Sequence, residues 1–245
     1  MKEIEFIIDS NCRVAEQTYR MVLNGDTSAI SECGQFVQIS IPGKFLRRPI
    51  SVSDCTDGSF VLLYKVVGKG TDYMSKMQAG QTLNVITGLG HGFDPDACKD
   101  TALLVGGSVG AAPLLWLAKE LIKRGRKVKV ALGFANAGFA FYVDEFKALG
   151  AEVCVSTDDG SLGVKGIVTA AMAPFEGQYD YFYACGPKVM LRALSQNLDV
   201  PGEISMEERM GCGTGICYGC TCQTTAGPRR VCADGPVFKK EEIVW

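Results

Sequence analysis

The stretch Thr101-Ala-Leu-Leu-Val-Gly-Gly-Ser-Val-Gly-Ala-Ala-Pro113 decides the class of fold, because it runs from a buried strand through a glycine-rich turn. Residues 102–105 are all apolar, which is typical of a central strand in a parallel sheet. Helical periodicity follows over 112–124. Because α/β sheets bind ligands at the carboxyl ends of their strands, this stretch predicts an α/β domain with a ligand site at the turn.

Strand-like and helix-like segments alternate on the C-terminal side of this stretch, which predicts a parallel sheet. The predicted strands are 127–133, 151–156 and 179–184, and the predicted helices are 143–149, 166–172 and 188–197. The candidate nucleotide-binding residues are Gly107, Gly110, Cys185, Gly186 and Pro187. The turn is not the usual G-x-G-x-x-G, and no acidic residue follows about 20 positions later, so a tight turn without a ligand is the alternative.

The N-terminal part has short strands separated by turns, at 3–8, 36–41, 60–67 and 81–86, which predicts a small antiparallel barrel. Within it lies Arg47-Arg-Pro-Ile-Ser-Val52, a weak motif by itself, since an arginine before a proline is more often a surface residue. Two glycine-containing loops, 68–71 and 88–93, could bring backbone N–H groups to a phosphate.

The C-terminal tail contains the run Cys212-Gly-Thr-Gly-Ile-Cys217-Tyr-Gly-Cys220, followed later by Cys232. This C-x4-C-x2-C…C spacing is typical of a plant-type [2Fe–2S] cluster, and the four cysteines are its candidate ligands. A structural zinc site, which also uses four thiolates, is the alternative. Cys222 fits no position of the spacing and is interpreted as a packed or surface thiol, with ligand exchange left open as an alternative.

The composition of the chain excludes several classes of function. The chain has 245 residues with 25 Lys+Arg, 27 Asp+Glu and a net charge of −2, so no nucleic-acid partner is expected. His91 is the only histidine, which excludes histidine-based triads. Eleven cysteines without a secretory signal argue for metal binding over disulfides, and with no apolar run of about 20 residues we expect a cytoplasmic protein that binds no membrane. The predicted domains are a barrel (1–97), an α/β domain (98–201) and a small lobe (202–245).

The motifs occur in the order seen in the ferredoxin–NADP reductase superfamily: Arg48-Pro-Ile-Ser51, Gly70-Thr71, Gly106-Gly107…Gly110 and Cys185-Gly-Pro187. The terminal segment narrows the resemblance from this superfamily to one family within it. This segment runs from Met210-Gly-Cys212 to Val231-Cys-Ala-Asp-Gly-Pro-Val-Phe238. Over essentially its whole length the chain resembles the electron-transfer subunits of NAD-dependent dihydroorotate dehydrogenase. The resemblance implies an FAD-binding barrel, an NAD-binding α/β domain and a [2Fe–2S] lobe.

The resemblance also implies cofactor-binding residues and a partner. It assigns FAD to Arg48, Pro49, Ile50, Ser51, Leu63, Tyr64, Lys65, Gly70 and Thr71, with Arg48 at the pyrophosphate and Ser51 near the flavin N5 edge. The wider superfamily has tyrosine where Ile50 stands. Electrons from the FMN of a separate catalytic subunit would pass through the cluster and FAD to NAD⁺ in pyrimidine (UMP) biosynthesis, in a heterotetramer with two of each subunit.

Three alternatives remain at this point. The chain could be the flavin and iron–sulfur subunit of a related oxidoreductase, of the ferredoxin:NADP or sulfide dehydrogenase type, although those tend to have an aspartate among the cluster ligands. It could be a stand-alone NAD(P)H reductase. It could also be a zinc-stabilised binding module, which predicts a colourless protein. The sequence leaves the choice of NAD over NADP open, although no arginine pair suggests a 2′-phosphate site.

Overall fold

The computed structural model describes residues 1–245, and its N-terminal part is a closed barrel of six antiparallel strands. These are Lys2–Ala15 (β1), Thr18–Asn24 (β2), Phe36–Ile39 (β3), Arg48–Thr56 (β4), Ser59–Lys65 (β5) and Thr82–Leu89 (β6), arranged in the order β1-β2-β5-β4-β3-β6. A short helix, Lys69–Ser75 (α1), precedes β6. The predicted barrel is confirmed, although the sequence analysis missed β2, β4 and α1 and the second half of β1.

The α/β region begins at residue 101 and alternates strands with helices, as predicted. Its elements are Thr101–Gly107 (β7), Ala111–Lys123 (α2), Lys127–Phe134 (β8), Val143–Ala148 (α3), Glu152–Thr157 (β9), Val164–Lys165 (β10), Val168–Met172 (α4), Tyr181–Cys185 (β11), Lys188–Asn197 (α5) and Gly202–Ser205 (β12). The sheet order is β10-β9-β8-β7-β11-β12, parallel throughout. The chain moves outward from β7 to β10 and then returns to place β11 beside β7, so the strand order reverses between β7 and β11.

The C-terminal segment returns to this sheet after forming a small lobe. The lobe contains Thr221–Thr224 (β13), Gly227–Arg230 (β14) and Val231–Asp234 (α6), and the last strand is Val237–Lys239 (β15). β15 pairs antiparallel with β12 and completes a seven-stranded sheet. The division at 97/98 and 201/202 stays a prediction, but both strands that flank the lobe, β12 and β15, belong to the α/β sheet.

Three apolar cores hold the structure together. One fills the barrel, and the other two lie on opposite faces of the sheet, one beneath α2 and α3 and one beneath α4 and α5. The second sheet core also includes three cysteines of the lobe, Cys220, Cys222 and Cys232. The lobe is therefore packed into the α/β domain. None of the helices is both long and apolar enough to cross a membrane.

Glu203 on β12 fastens the segment that joins the barrel to the sheet. Its carboxylate accepts a hydrogen bond from the backbone N–H of Asp94 at 2.9 Å. The hydroxyl of Tyr183 donates to the carbonyl oxygen of the same residue at 2.7 Å. Only 6% of Glu203 is exposed, and this burial raises the pKa of its carboxyl to about 7.

The raised pKa makes stability depend on pH. Between its ordinary value of 4.5 and about 7, the folded protein keeps a proton on Glu203 that the unfolded chain releases. Stability therefore falls as the pH rises through this window, and the full penalty remains above it. We expect Glu203→Gln to remove the penalty. The gain in the free energy of unfolding of the variant over the wild type should therefore be larger at pH 8.5 than at pH 4.5, by at most about 3 kcal/mol.

The measurement is urea unfolding of both proteins at pH 4.5 and 8.5. Glu5→Gln, at an exposed position on β1, is the matched control and should change neither curve. A Glu203→Gln variant whose stability depends on pH as steeply as the wild type would contradict the assignment.

Candidate functional site

Cys212 and Cys217 form the outer of two cysteine pairs in the lobe. The sulfur of Cys212 accepts backbone N–H groups of Thr214 and Cys217, each at 3.4 Å. The sulfur of Cys217 accepts those of Cys212 and Gly219, each at 3.5 Å. These N–H groups stabilise thiolate charge and lower the pKa of Cys212 to about 6, against the opposing effect of desolvation.

Cys220 and Cys232 form the inner pair. The backbone N–H of Cys232 donates to the sulfur of Cys220 at 3.4 Å, and the N–H of Gly215 donates to the sulfur of Cys232 at 3.2 Å. Both side chains are 2% exposed. Desolvation raises the pKa of Cys232 to about 12, so this thiol is held as a thiolate only when a cation compensates the charge.

The pairing of the four cysteines fits a two-iron cluster. The four sulfurs fall into two pairs linked by N–H···S hydrogen bonds, and a [2Fe–2S] cluster needs one pair for each iron. Cys222 is buried in the adjoining core, and no backbone N–H···S contact of the loop involves it.

Strands β4 and β5 separate where the predicted flavin motif lies. Their ladder runs from Thr56–Ser59 to Val52–Leu62 and ends there. Beyond it, residues 48–51 pair only with β3, and residues 63–65 pair only with β2. The facing edges of these two segments are therefore free to offer backbone donors and acceptors to a planar ring system. This opening brings Arg48–Ser51 and Leu63–Lys65 to one place.

A cavity of about 520 Å³ opens beside this separation. This volume falls within the range of small-molecule and cofactor sites. Its walls come from the start of β4, the start of α5 and the segment that leads into the lobe: Leu46, Arg47, Arg48, Pro49, Lys188, Glu207, Glu208, Arg209 and Met210. An ion pair between Lys188 and Glu208 links α5 to that segment. The donor set, with three arginines and a lysine, suits an anionic group such as a pyrophosphate.

Arg48 lies over the first turn of α1, and Gly70 makes this possible, since a β-carbon at Gly70 would collide with the arginine side chain. The hydroxyl of Thr71 closes the preceding turn by accepting the backbone N–H groups of Val67 at 3.0 Å and Gly68 at 3.3 Å. Arg48 donates to the carbonyl oxygen of Leu46 at 2.5 Å. Gly70 and Thr71 therefore determine the position of the Arg48 side chain.

Three of the predicted flavin residues direct their side chains elsewhere. Tyr64 is 1% exposed within the barrel core, and its hydroxyl donates to Asn11 at 2.9 Å. Ile50 packs partly against the same core. The Lys65 ammonium lies 4.5 Å from the centre of the Phe139 ring. Because the Tyr64 side chain is enclosed in the core, only its backbone can reach a group at the opening.

The predicted nucleotide residues meet where the strand order reverses. A β-carbon at Gly110 would collide with the Cys185 carbonyl, and one at Gly107 would lie 2.9 Å from Pro187. These glycines let the turns after β7 and β11 approach backbone to backbone, at the edge where α/β sheets bind nucleotides. Burial raises the pKa of the Cys185 thiol to about 12, so it is held neutral.

In the loop 88–93, which the sequence analysis offered as a phosphate-binding loop, the backbone N–H groups of His91 and Gly92 are already paired within the chain. The N–H of His91 donates to the Gly235 carbonyl at 2.7 Å, and that of Gly92 to the Glu32 carboxylate at 2.7 Å. Gly90 has a φ of +71°, and a β-carbon there would meet Pro236. The loop instead packs the barrel against the end of the lobe.

Comparison with known proteins identifies the family. A family described as the iron–sulfur cluster binding domain of dihydroorotate dehydrogenase B matches residues 207–244. The electron transfer subunit of dihydroorotate dehydrogenase B (NAD(+)) from Bacillus caldolyticus is 42% identical over 243 residues, 94% of each chain. That from Fusobacterium nucleatum is 40% identical over 99% of each. The chain belongs to this family of electron transfer subunits. The resemblance inferred from the motifs is thus confirmed.

Solved structures agree with this family assignment. The NADH-dependent reduced ferredoxin-NADP oxidoreductase, described for flavin-based electron bifurcation, superposes with a TM-score of 0.88 at 32% identity, covering 98% of this chain and 90% of that one. A ferredoxin NADP+ reductase from Neisseria gonorrhoeae with bound FAD and NADP reaches 0.68 at 18% identity, over 80% and 90% of the chains, and shows the shared fold.

Sequence reasoning missed an acidic loop at the carboxyl edge of the sheet. Asp158 and Asp159 follow β9 directly, and Asp159 accepts the backbone N–H of Ser161 at 2.9 Å. The Ser161 hydroxyl oxygen accepts the N–H of Ala137 at 2.8 Å, which ties this loop to the one after β8. The sequence signal was an acid–acid–glycine turn at the end of a strand. The segment 207–210 was also missed, and nothing in its composition marks it as a cavity wall.

The ligand set predicted from the spacing can be tested by paired substitutions in the full chain. We expect Cys220→Ser to lose nearly all cluster iron, since it removes one thiolate of the inner pair, whereas Cys222→Ser should keep two irons per chain. Iron content and the electron paramagnetic resonance signal of the reduced protein are the measurements. Loss of iron in Cys222→Ser with retention in Cys220→Ser would show that Cys222 is the ligand.

Proposed function

We propose that this chain takes electrons from the FMN of a catalytic dihydroorotate dehydrogenase subunit and delivers them through a [2Fe–2S] cluster and FAD to NAD⁺. The cluster is held by Cys212, Cys217, Cys220 and Cys232, FAD lies at the opening between β4 and β5, and NAD⁺ lies at the turns after β7 and β11. The names of the relatives supply the NAD⁺ acceptor and the dehydrogenase. The assembly contains two of each subunit.

Gln38 on β3 provides the observation that carries the proposal, because it joins the cluster loop to the flavin strand. Its backbone pairs with Pro49 of the flavin motif. Its side-chain amide lies 3.9 Å from the sulfur of Met210 and packs against Gly213 of the cluster loop. The amide oxygen is fully buried and has no partner within the chain. The two proposed redox sites are therefore neighbours that share one side chain.

The outer cysteine pair lies on the surface that a partner can reach. Cys217 is exposed, and its two neighbours are large apolar side chains in contact with solvent, Ile216 at 80% and Tyr218 at 66% exposure. Exposed apolar groups of this size around a functional site are typical of protein–protein contacts. This supports entry of electrons from the partner subunit at the outer pair.

The residues of the chain bind and orient the groups. A flavin exchanges one or two electrons, whereas nicotinamide takes a hydride and an iron–sulfur cluster takes one electron, so a flavin is the adapter between them. Arg48 neutralises the pyrophosphate, and the free edges of β4 and β5 hold the ring. Gly107 and Gly110 allow the nucleotide to approach the backbone.

The proposal is tested by purifying the chain anaerobically, alone and co-expressed with the FMN-containing catalytic subunit of the same organism. We expect flavin and cluster absorption in both samples, bleached by NADH in both. Turnover of dihydroorotate with NAD⁺ should occur only in the co-expressed sample, whose mass should correspond to two copies of each subunit.

Two outcomes would overturn the proposal in different ways. Bleaching by NADH without dihydroorotate turnover in the complex would indicate a subunit of a related NAD(P)H oxidoreductase. A colourless protein that contains zinc would exclude the redox function.

Arg48→Gln tests the FAD site. Because a charge-assisted hydrogen bond contributes about 1.5–3 kcal/mol, the dissociation constant for FAD should rise about ten- to hundredfold. Fluorescence titration of the flavin-depleted chain measures it. Arg13→Gln, which removes an exposed arginine at the far end of β1, is the control and should bind FAD like the wild type. Unchanged affinity in Arg48→Gln would refute the role of Arg48.

A further inference from the structure

Arg230, at the end of β14, connects the two halves of the cluster loop. Its Nη1 donates to the carbonyl oxygen of Gly215 at 2.8 Å. Its Nε and Nη2 donate to the two carboxylate oxygens of Asp234 at 3.0 and 3.2 Å. The guanidinium carbon also lies 5.1 Å from the centre of the Tyr218 ring. One side chain therefore contacts the segment before Cys217, the residue after it, and the helix that carries Cys232.

Gly215 is the point at which this contact reaches a cluster sulfur. The N–H of Gly215 donates to the sulfur of Cys232 at 3.2 Å, the shortest of the N–H···S contacts in the loop. On the other side of the same residue, the carbonyl accepts Arg230. Gly215 has a φ of +85°, and a β-carbon there would lie 2.9 Å from Ala233. Its position is thus fixed between Arg230, Cys232 and α6.

Asp234 fixes the arginine in turn. Its Oδ2 accepts the backbone N–H of Arg230 at 2.8 Å as well as Nε of the guanidinium. These hydrogen bonds from Arg230 hold the pKa of the Asp234 carboxyl below its usual range. Arg230 remains 30% exposed at the side chain, so its charge is screened, and its fixed geometry is the main property it offers to the loop.

We propose that Arg230 is a positioning residue for the [2Fe–2S] cluster. It clamps the Gly215 carbonyl to Asp234 and so holds the Gly215 N–H against the Cys232 sulfur. Hydrogen bonds to cluster sulfurs raise the reduction potential, because they stabilise the more negative reduced state. Loosening the clamp therefore lowers the potential and weakens retention of the iron bound by the inner pair. This inference rests on the proposed cluster site.

Substitutions distinguish the effect of the hydrogen bonds of Arg230 from the effect of its charge. Arg230→Lys keeps the positive charge, but a lysine cannot bind a carboxylate and a carbonyl with the planar fork of arginine. Asp234→Asn removes a negative charge, which by charge alone would raise the potential, whereas a loosened clamp lowers it. Arg229→Gln is the matched control, since Arg229 is exposed and its charge also acts on Asp234.

The experiment uses the full chain assembled with its catalytic partner subunit. The cluster potential is measured by redox titration followed by electron paramagnetic resonance, and iron retention by the rate of release to a chelator. We expect Arg230→Gln, Arg230→Lys and Asp234→Asn all to give a more negative potential and iron release faster by about tenfold or more. Arg229→Gln should match the wild type in iron release.

Either of two results would overturn the proposal. Wild-type behaviour of Arg230→Lys would show that charge alone matters, as would opposite potential shifts in Arg230→Gln and Asp234→Asn. If Arg230→Gln does not assemble a cluster, Arg230→Lys and Asp234→Asn decide the question. Absence of a reduced-cluster signal in the wild type is a different result, since it would refute the cluster site itself.

Discussion

The antiparallel pairing of β12 with β15 determines where the cluster loop begins and ends. Ile204 pairs with Phe238 in this short ladder, so the chain leaves the sheet at β12 and must return beside it. Everything between is held at one edge of the α/β domain, and the loop 88–93 of the barrel packs on its end. A tail anchored at one end only could not keep the four cysteines at fixed positions beside β3, but a segment anchored at both ends can.

This anchoring produces two unlike environments for the cysteines. The inner pair is buried in the core under α4 and α5, and the outer pair is solvated and receives four backbone N–H groups. The pKa of Cys212 falls to about 6, and that of Cys232 rises to about 12. A thiolate at Cys212 is thus favoured near neutral pH, whereas Cys232 loses its proton only when the charge of a bound cation compensates for it.

Much of the fold could be predicted from the sequence, since apolar runs such as 102–105 and the alternation after them depend on local periodicity. Strand β4 was missed because an arginine before a proline is more often a surface residue, and its pairing with β3 and β5 is set by tertiary structure. The cysteine spacing predicted the ligand candidates directly. The cavity could not be predicted, because its walls come from residues near 48, 188 and 208, which only tertiary packing brings together.

The cavity also links the stability of three parts of the chain to the binding of a ligand. A group bound there contacts the barrel, the start of α5 and the segment entering the lobe, so it binds the assembled state and not the separated parts. By mass action, a ligand present at 100 times its dissociation constant adds about 2.7 kcal/mol to the stability of that state. With FAD at the proposed site, flavin saturation would therefore add to the stability with which the cysteine-rich lobe is held against the barrel.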